Sequence, residues 1–185
     1  MEAATTTLRL HADRDGGFPC SDLLSGVESS RTLNKKDVVL TPTSMVTAIV
    51  RHFKPSGRIL DPCAGRGAFA NQMPGCSTCE IQNGSDFFEW REPVDWIVSN
   101  PPYSIFYEWM CHSFEVADDI VYLIPLHKIF SGSKYLDRIF EFGGVKEVMS
   151  FGSARIMEGF PVGFAIGAVH FKRNYRGQTL LWRAA

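Results

Sequence analysis

An α/β domain built on a mostly parallel β-sheet is the fold class this sequence predicts. Three observations carry that expectation. Short apolar runs alternate with segments whose apolar residues recur at helical spacing. One early run, Arg58–Asp61, opens directly into a glycine-rich turn, Pro62-Cys63-Ala64-Gly65-Arg66-Gly67-Ala68-Phe69-Ala70. A later run, Val94–Ser99, stops at Asn100-Pro101-Pro102-Tyr103, where neither proline has an N–H to give to a sheet. Strands alternating with helices fold as parallel sheets. Such sheets bind ligands beyond the carboxyl ends of their strands, and both turns lie at such ends.

The elements follow in order. Residues 1–36 have weak periodicity and many Ser, Thr, Gly and Asp, so they read as a flexible arm preceding a single domain over 37–185. Met45, Val46, Ile49, Val50 and Phe53 keep helical spacing, with Thr41 at the N-cap position and Pro42 at the first helical position. Strands are expected at Arg58–Asp61, Ser77–Ile81, Val94–Ser99, Ile120–Pro125, Val145–Phe151 and Gly163–Phe171. The glycine turn is expected to lead into a helix. Further helices are expected at Tyr103–Val116 and Tyr135–Phe142.

The chain has 185 residues, 45% of them hydrophobic, enough for one globular core. No apolar run approaches the roughly 18–20 residues of a membrane span, and the first residues lack the layout of a secretory signal. Five widely spread cysteines suit a reducing cytoplasm rather than a disulfide framework. Cys76-Ser77-Thr78-Cys79 has the spacing of half a zinc site, but no second pair follows, so no metal is expected. Net charge is −1 but unevenly spread: residues 41–125 hold five Lys/Arg against ten Asp/Glu, residues 126–185 nine against four. The basic part could face a polyanion.

Gly65 and Gly67 let the chain turn tightly against a ligand. The turn lacks both G-x-G-x-x-G and the Gly-Lys-Ser/Thr of a phosphate loop. Asp61 at the strand end repels a pyrophosphate and suits a ligand carrying an ammonium, a sulfonium or hydroxyls. Glu80, nineteen residues on, is placed to accept both hydroxyls of a ribose. Asp86 could accept from an adenine amine, with Phe87 beside the ring.

This series resembles the S-adenosylmethionine-dependent methyltransferases of the Rossmann-like class. The resemblance implies a mostly parallel seven-stranded sheet with helices on both faces. It also implies S-adenosyl-L-methionine as cofactor, held by Asp61, Ala64, Gly65, Gly67 and Phe69 around the turn, then Glu80, then Asp86 and Phe87. Thr41-Pro42 resembles the family's N-terminal cofactor motif, and Asn100 would border the same site.

A residue before proline is held extended, so Asn100 and Pro101 sit on a stiff corner. Asn100 adds a side-chain oxygen, the Pro101 carbonyl a second acceptor, and Tyr103 a flat face. The complement is a planar group with an –NH2: adenine N6, cytosine N4 or a glutamine amide. Asn100, Pro101, Pro102 and Tyr103 resemble the catalytic motif of adenine-N6 methyltransferases and of glutamine methyltransferases. Cytosine-N4 enzymes more often begin with Ser.

Residues 158–173, Glu-Gly-Phe-Pro through Lys-Arg, resemble the late motif of TaqI-type adenine methyltransferases, which makes Phe160 the aromatic that stacks on a flipped-out base. Leu126–Phe130 falls within the match to the family's middle motif. The tail Lys172–Arg183 interleaves basic and aromatic residues, which suits phosphate contacts. The resemblance therefore implies nucleic-acid methylation at adenine N6, DNA before RNA. A protein glutamine methyltransferase and a silent binding subunit are the alternatives. No separate target-recognition domain fits in the chain, so a protein partner could supply specificity.

Overall fold

The computed structural model describes residues 40–153 and 164–184. Its elements are α1 (Thr43–Phe53), β1 (Ile59–Asp61), β2 (Ser77–Thr78), β3 (Val94–Ser99), α2 (Phe106–Val116), β4 (Ala117–Pro125), α3 (Ser133–Phe142), β5 (Gly143–Ser153), β6 (Ala165–Arg173) and β7 (Leu180–Arg183). They form one seven-stranded sheet in the order β2-β1-β3-β4-β6-β5-β7. β1 runs parallel to β2 and β3, β3 to β4, and β5 to β7, whereas β6 is antiparallel to β4 and β5. The mostly parallel sheet expected from the sequence is the one observed.

The central strands are covered on both faces, and their alternation shows it. In β4, Ile120, Tyr122 and Ile124 join a cluster with Trp109, Met110 and Phe114 of α2 and with Ile139 and Phe142 of α3. Val121 and Leu123 join the opposite cluster, with Met45, Val46, Ile49 and Phe53 of α1. An isolated helix of 11 residues is marginal in water, so α1 is held by this stripe rather than by propensity. Each of its four buried side chains contributes about 1.5–3 kcal/mol.

Four local expectations are corrected. Helix α1 is capped by Pro42, whose carbonyl accepts from the Met45 and Val46 N–H groups, so Thr41 is not the N-cap. The glycine turn leads only into a three-residue 3-10 turn, Ala70–Gln72, because Pro74-Gly75 follows at once. Tyr103–Ile105 is also 3-10, and the α-helix begins at Phe106. Finally, the tail forms a seventh strand, β7, parallel to β5. All four of its residues are exposed, so no buried alternation marked it in the sequence. The expected arm, the domain's first residues and Phe160-Pro161 lie outside the described residues.

Candidate active site

The carboxyl ends of β1, β2 and β3 bring the acidic residues and the proline corner to one edge. Asp61 closes β1 and is 1% exposed. Its Oδ1 accepts from the Ser99 hydroxyl at 2.7 Å and weakly from the Cys63 N–H at 3.4 Å. Its Oδ2 is buried and makes no hydrogen bond of ordinary geometry. Burial pushes the carboxyl up to about 6, against the pull of Ser99 and of the Cys63 and Ala70 amides. A buried acceptor without a donor is costly, and an ammonium or hydroxyl ligand would satisfy it.

Gly65 and Gly67 both have positive φ, 52° and 80°. A Cβ at Gly67 would stand 3.1 Å from the Asn71 amide, whereas at Gly65 it would meet open space. Gly65 therefore presents bare backbone to whatever occupies the strand ends. Its N–H donates to Glu80 Oε2 at 2.7 Å, and Gln82 N–H donates to Oε1 at 3.2 Å. The Ala64 N–H is held by the Cys79 carbonyl at 3.0 Å. Glu80 thus ties the turn over β2, each oxygen keeping a further lone pair. Asp86 caps the next 3-10 turn through Phe88 N–H at 2.9 Å.

Two aromatics expected at the cofactor, Phe69 and Phe87, are buried in the core. Phe69 is 3% exposed in the α1 cluster. Phe87 is 2% exposed, its ring centroid 4.8 Å from Trp109 and 4.7 Å from His112.

At the end of β3 the two prolines are buried and Asn100 is half-buried. Asn100 Nδ2 donates to Thr41 Oγ1 at 3.0 Å. The Tyr103 hydroxyl lies 2.5 Å from Asn100 Oδ1 and 3.1 Å from the Leu123 carbonyl of β4. The structure thus brings Thr41, Asn100 and Tyr103 together, while Ser99 links this corner to Asp61. Lys128, to which the sequence assigned no role, donates from Nζ to the Tyr103 carbonyl at 3.0 Å. Next in the chain, the His127 ring lies tilted at 38° to Phe164, centroids 4.5 Å apart; Phe164 is 43% exposed and Phe130 71% exposed. In the sequence, the stretch Leu126–Phe130 was marked only by its resemblance to the family's middle motif.

Three cations of the basic tail are not at this edge, whereas Arg183, in register with Ser150, ends β7 on the carboxyl side of the sheet. Lys172 pairs with Asp119 at 2.7 Å, and Arg173 pairs with Asp118 at 2.7 Å while also donating to the Phe114 and Ala117 carbonyls. Arg176 donates to the Gly143 carbonyl. These residues sit at the amino end of β4, opposite Asn100, with their donors engaged.

No family profile and no curated protein matches the chain. Solved structures do. A Listeria monocytogenes protein assigned to the class I S-adenosylmethionine-dependent methyltransferases superposes with a TM-score of 0.60 at 12% identity, over 87% of this chain and 69% of its own. A Pyrococcus horikoshii protein assigned as an RNA methyltransferase gives 0.54 at 12% identity, over 83% and 96%. The methyltransferase subunit of a Streptococcus thermophilus type I restriction-modification system gives 0.60 at 14% identity, over 82% of this chain but 48% of its own. The fold is that of the Rossmann-like class I methyltransferases.

Proposed function

We propose that the chain is an S-adenosylmethionine-dependent N-methyltransferase acting on the exocyclic amine of adenine in nucleic acid, DNA before RNA. One observation carries this reading. The Asn100–Tyr103 corner stands next to a buried strand-end carboxyl, Asp61, through Ser99.

When bound, the cofactor supplies an electrophilic methyl group on a sulfonium. Asp61, with its unpaired Oδ2, would take the ammonium, Glu80 the ribose hydroxyls and Asp86 the adenine amine; Ala64 and Gly65 would give backbone contact. Asn100 Oδ1 and the Pro101 carbonyl would accept the two N–H bonds of the substrate amine and orient its lone pair. The amine lone pair so oriented would face the methyl that the bound cofactor would supply, and the amine proton released on transfer would pass to water. No strong base is needed, so positioning and electrostatics supply the acceleration.

A nucleic-acid substrate is supported by the exposed rings of His127, Phe164 and Phe130 beside the corner. Stacking on such rings contributes about 1–3 kcal/mol per base. Tyr103 and Phe160 would complete the base pocket. Adenine in DNA is favoured by the Asn-Pro-Pro-Tyr order and by the likeness to the restriction-modification subunit. The chain spans about half the length of that subunit, and the likeness to a protein that is itself a subunit supports a partner chain that contributes sequence specificity.

The test is transfer of label from the cofactor to duplex DNA, single-stranded DNA and RNA, followed by nucleoside analysis. N6-methyladenine in DNA, abolished by Asn100→Ala, is the expected result. Label in RNA alone would reassign the polymer. Label in a protein amide and in neither polymer would overturn the base.

A further inference from the structure

The Asn100 carboxamide is held at both ends. Nδ2 donates to the Thr41 hydroxyl at 3.0 Å. Oδ1 stands 2.5 Å from the Tyr103 hydroxyl. The amide oxygen thus faces Tyr103 and the nitrogen faces Thr41. The Leu123 carbonyl stands 3.1 Å from the same hydroxyl, so two acceptors share its single proton. Leu123 lies in the fully buried middle of β4. Thr41 directly precedes the Pro42 cap of α1. The carboxamide is therefore suspended between the start of the first helix and the central strand of the sheet.

We infer that the Thr41 and Tyr103 hydroxyls are positioning groups for Asn100, an inference that rests on the amine-methylating reading above. A free Asn side chain samples several rotamers and two amide orientations. Two hydroxyl partners from separate elements select one. Tyr103 takes one lone pair of Oδ1 and leaves the second for the substrate amine. The proton on Tyr103 polarises the carboxamide, which strengthens the Nδ2–H bond to Thr41 in turn. Thr41 thus has work to do that is separate from touching the cofactor, and Tyr103 has work to do that is separate from stacking on a base.

Three variants separate this role from the alternatives. Thr41→Val keeps shape and removes the acceptor. Thr41→Ser keeps the hydroxyl. Tyr103→Phe keeps the ring face and removes the O–H. Thr41→Val and Tyr103→Phe should each lower kcat by about 10- to 100-fold, the scale of a misplaced reacting group. With the cofactor saturating, KM for the polymer should stay within about twofold, and Thr41→Ser should restore most of kcat. The double variant should lose less than the product of the two single losses, because both act through one carboxamide. An unchanged kcat in Thr41→Val would overturn the inference. So would a weakened cofactor Kd with kcat intact at saturation, since Thr41 would then be a cofactor contact only. A second readout does not depend on turnover. The Asn100 side-chain amide resonance, identified by its loss in Asn100→Ala, should shift in Thr41→Val and in Tyr103→Phe and return in Thr41→Ser. If the wild-type chain methylates nothing, the proposed function falls while this spectrum still decides the clamp. A resonance unmoved by both variants would sink the clamp by itself.

Discussion

Asp61 is a carboxyl that solvent does not reach, with one oxygen lacking a partner, and this has measurable consequences. Its ionised form is disfavoured by burial, so it titrates near 6 rather than near 4. The sign follows from linkage: between about pH 4 and 6 the folded chain holds this proton and the unfolded chain does not, so the ionised group destabilises the fold above that window. Asp61→Asn should therefore raise the stability of the ligand-free chain by about 2–3 kcal/mol at pH 7–8, with the gain shrinking toward zero by about pH 4. Urea unfolding of both chains across pH checks this; a gain that is flat with pH would point to some other cause. The same substitution should abolish cofactor binding, the usual exchange between a strained site and stability. In the wild-type chain, cofactor affinity should fall about tenfold per unit as pH drops below about 6, because an ammonium needs the carboxylate. Calorimetry across pH 5–8 reads this directly. The strand-end position of Asp61 and its place before a glycine turn were readable in the residue order. Ser99 as its partner was not, since a serine that ends a strand gives no local sign of facing a neighbouring strand.

Among the elements, the β5–β6 pair shows how close approach, rather than side-chain chemistry, sets a residue. A Cβ added to Gly143 would run into the backbone carbonyl of Lys172 and meet the Asn174 nitrogen at 2.6 Å. Backbone atoms cannot swing aside as a side chain can. Gly143→Ala should cost about 1–3 kcal/mol of stability by forcing the two strands apart, read as a lower denaturation midpoint. Across the same strands, His170 is 1% exposed and its ring nitrogens face Asp119 at 2.7 Å and Glu147 at 3.3 Å. Removing it takes one hydrogen bond from each carboxylate, while Asp119 keeps Lys172 and Glu147 keeps His52 and Trp182, so His170→Phe should destabilise by about 1.5–3 kcal/mol. A thermal scan showing less than about 1 kcal/mol would show that the ring is not what satisfies them. The helix stripes and the apolar strands were legible because periods of 3.6 and 2 are local properties. β7 was not, because an edge strand exposed along its length carries no period.

At the scale of the whole molecule, charge has been sorted by the sheet into two ends. The carboxyl ends of β1 to β3 gather Asp61, Glu80 and Asp86, while the amino ends gather Asp119 with Lys172 and Asp118 with Arg173. Burial alone would raise the Asp119 and Glu147 carboxyls, but hydrogen bonds from His170 to both, from Lys172 to Asp119 and from His52 to Glu147 pull them below the usual range. Depressed carboxyls stabilise the fold above their unfolded values and lose that contribution as pH falls through the folded ones. Acid unfolding should accordingly set in below about pH 4, and Glu147→Gln should flatten its slope in a circular-dichroism titration. No helix among the described residues is long and apolar enough to cross a membrane. What the sequence determined by itself is the α/β order and the series of strand-end motifs. Stiff prolines, permissive glycines and hydrophobic periods act over a few residues, and each works wherever the chain carries it. What only the tertiary structure decided is which groups meet across the sheet. Thr41 reaches Asn100 from 59 residues away, and Lys172 is spent on Asp119 from 53 residues away rather than left for a phosphate. Those meetings depend on strand order and register, which arise from burying two faces of one sheet at once, and no local stretch of sequence holds that information.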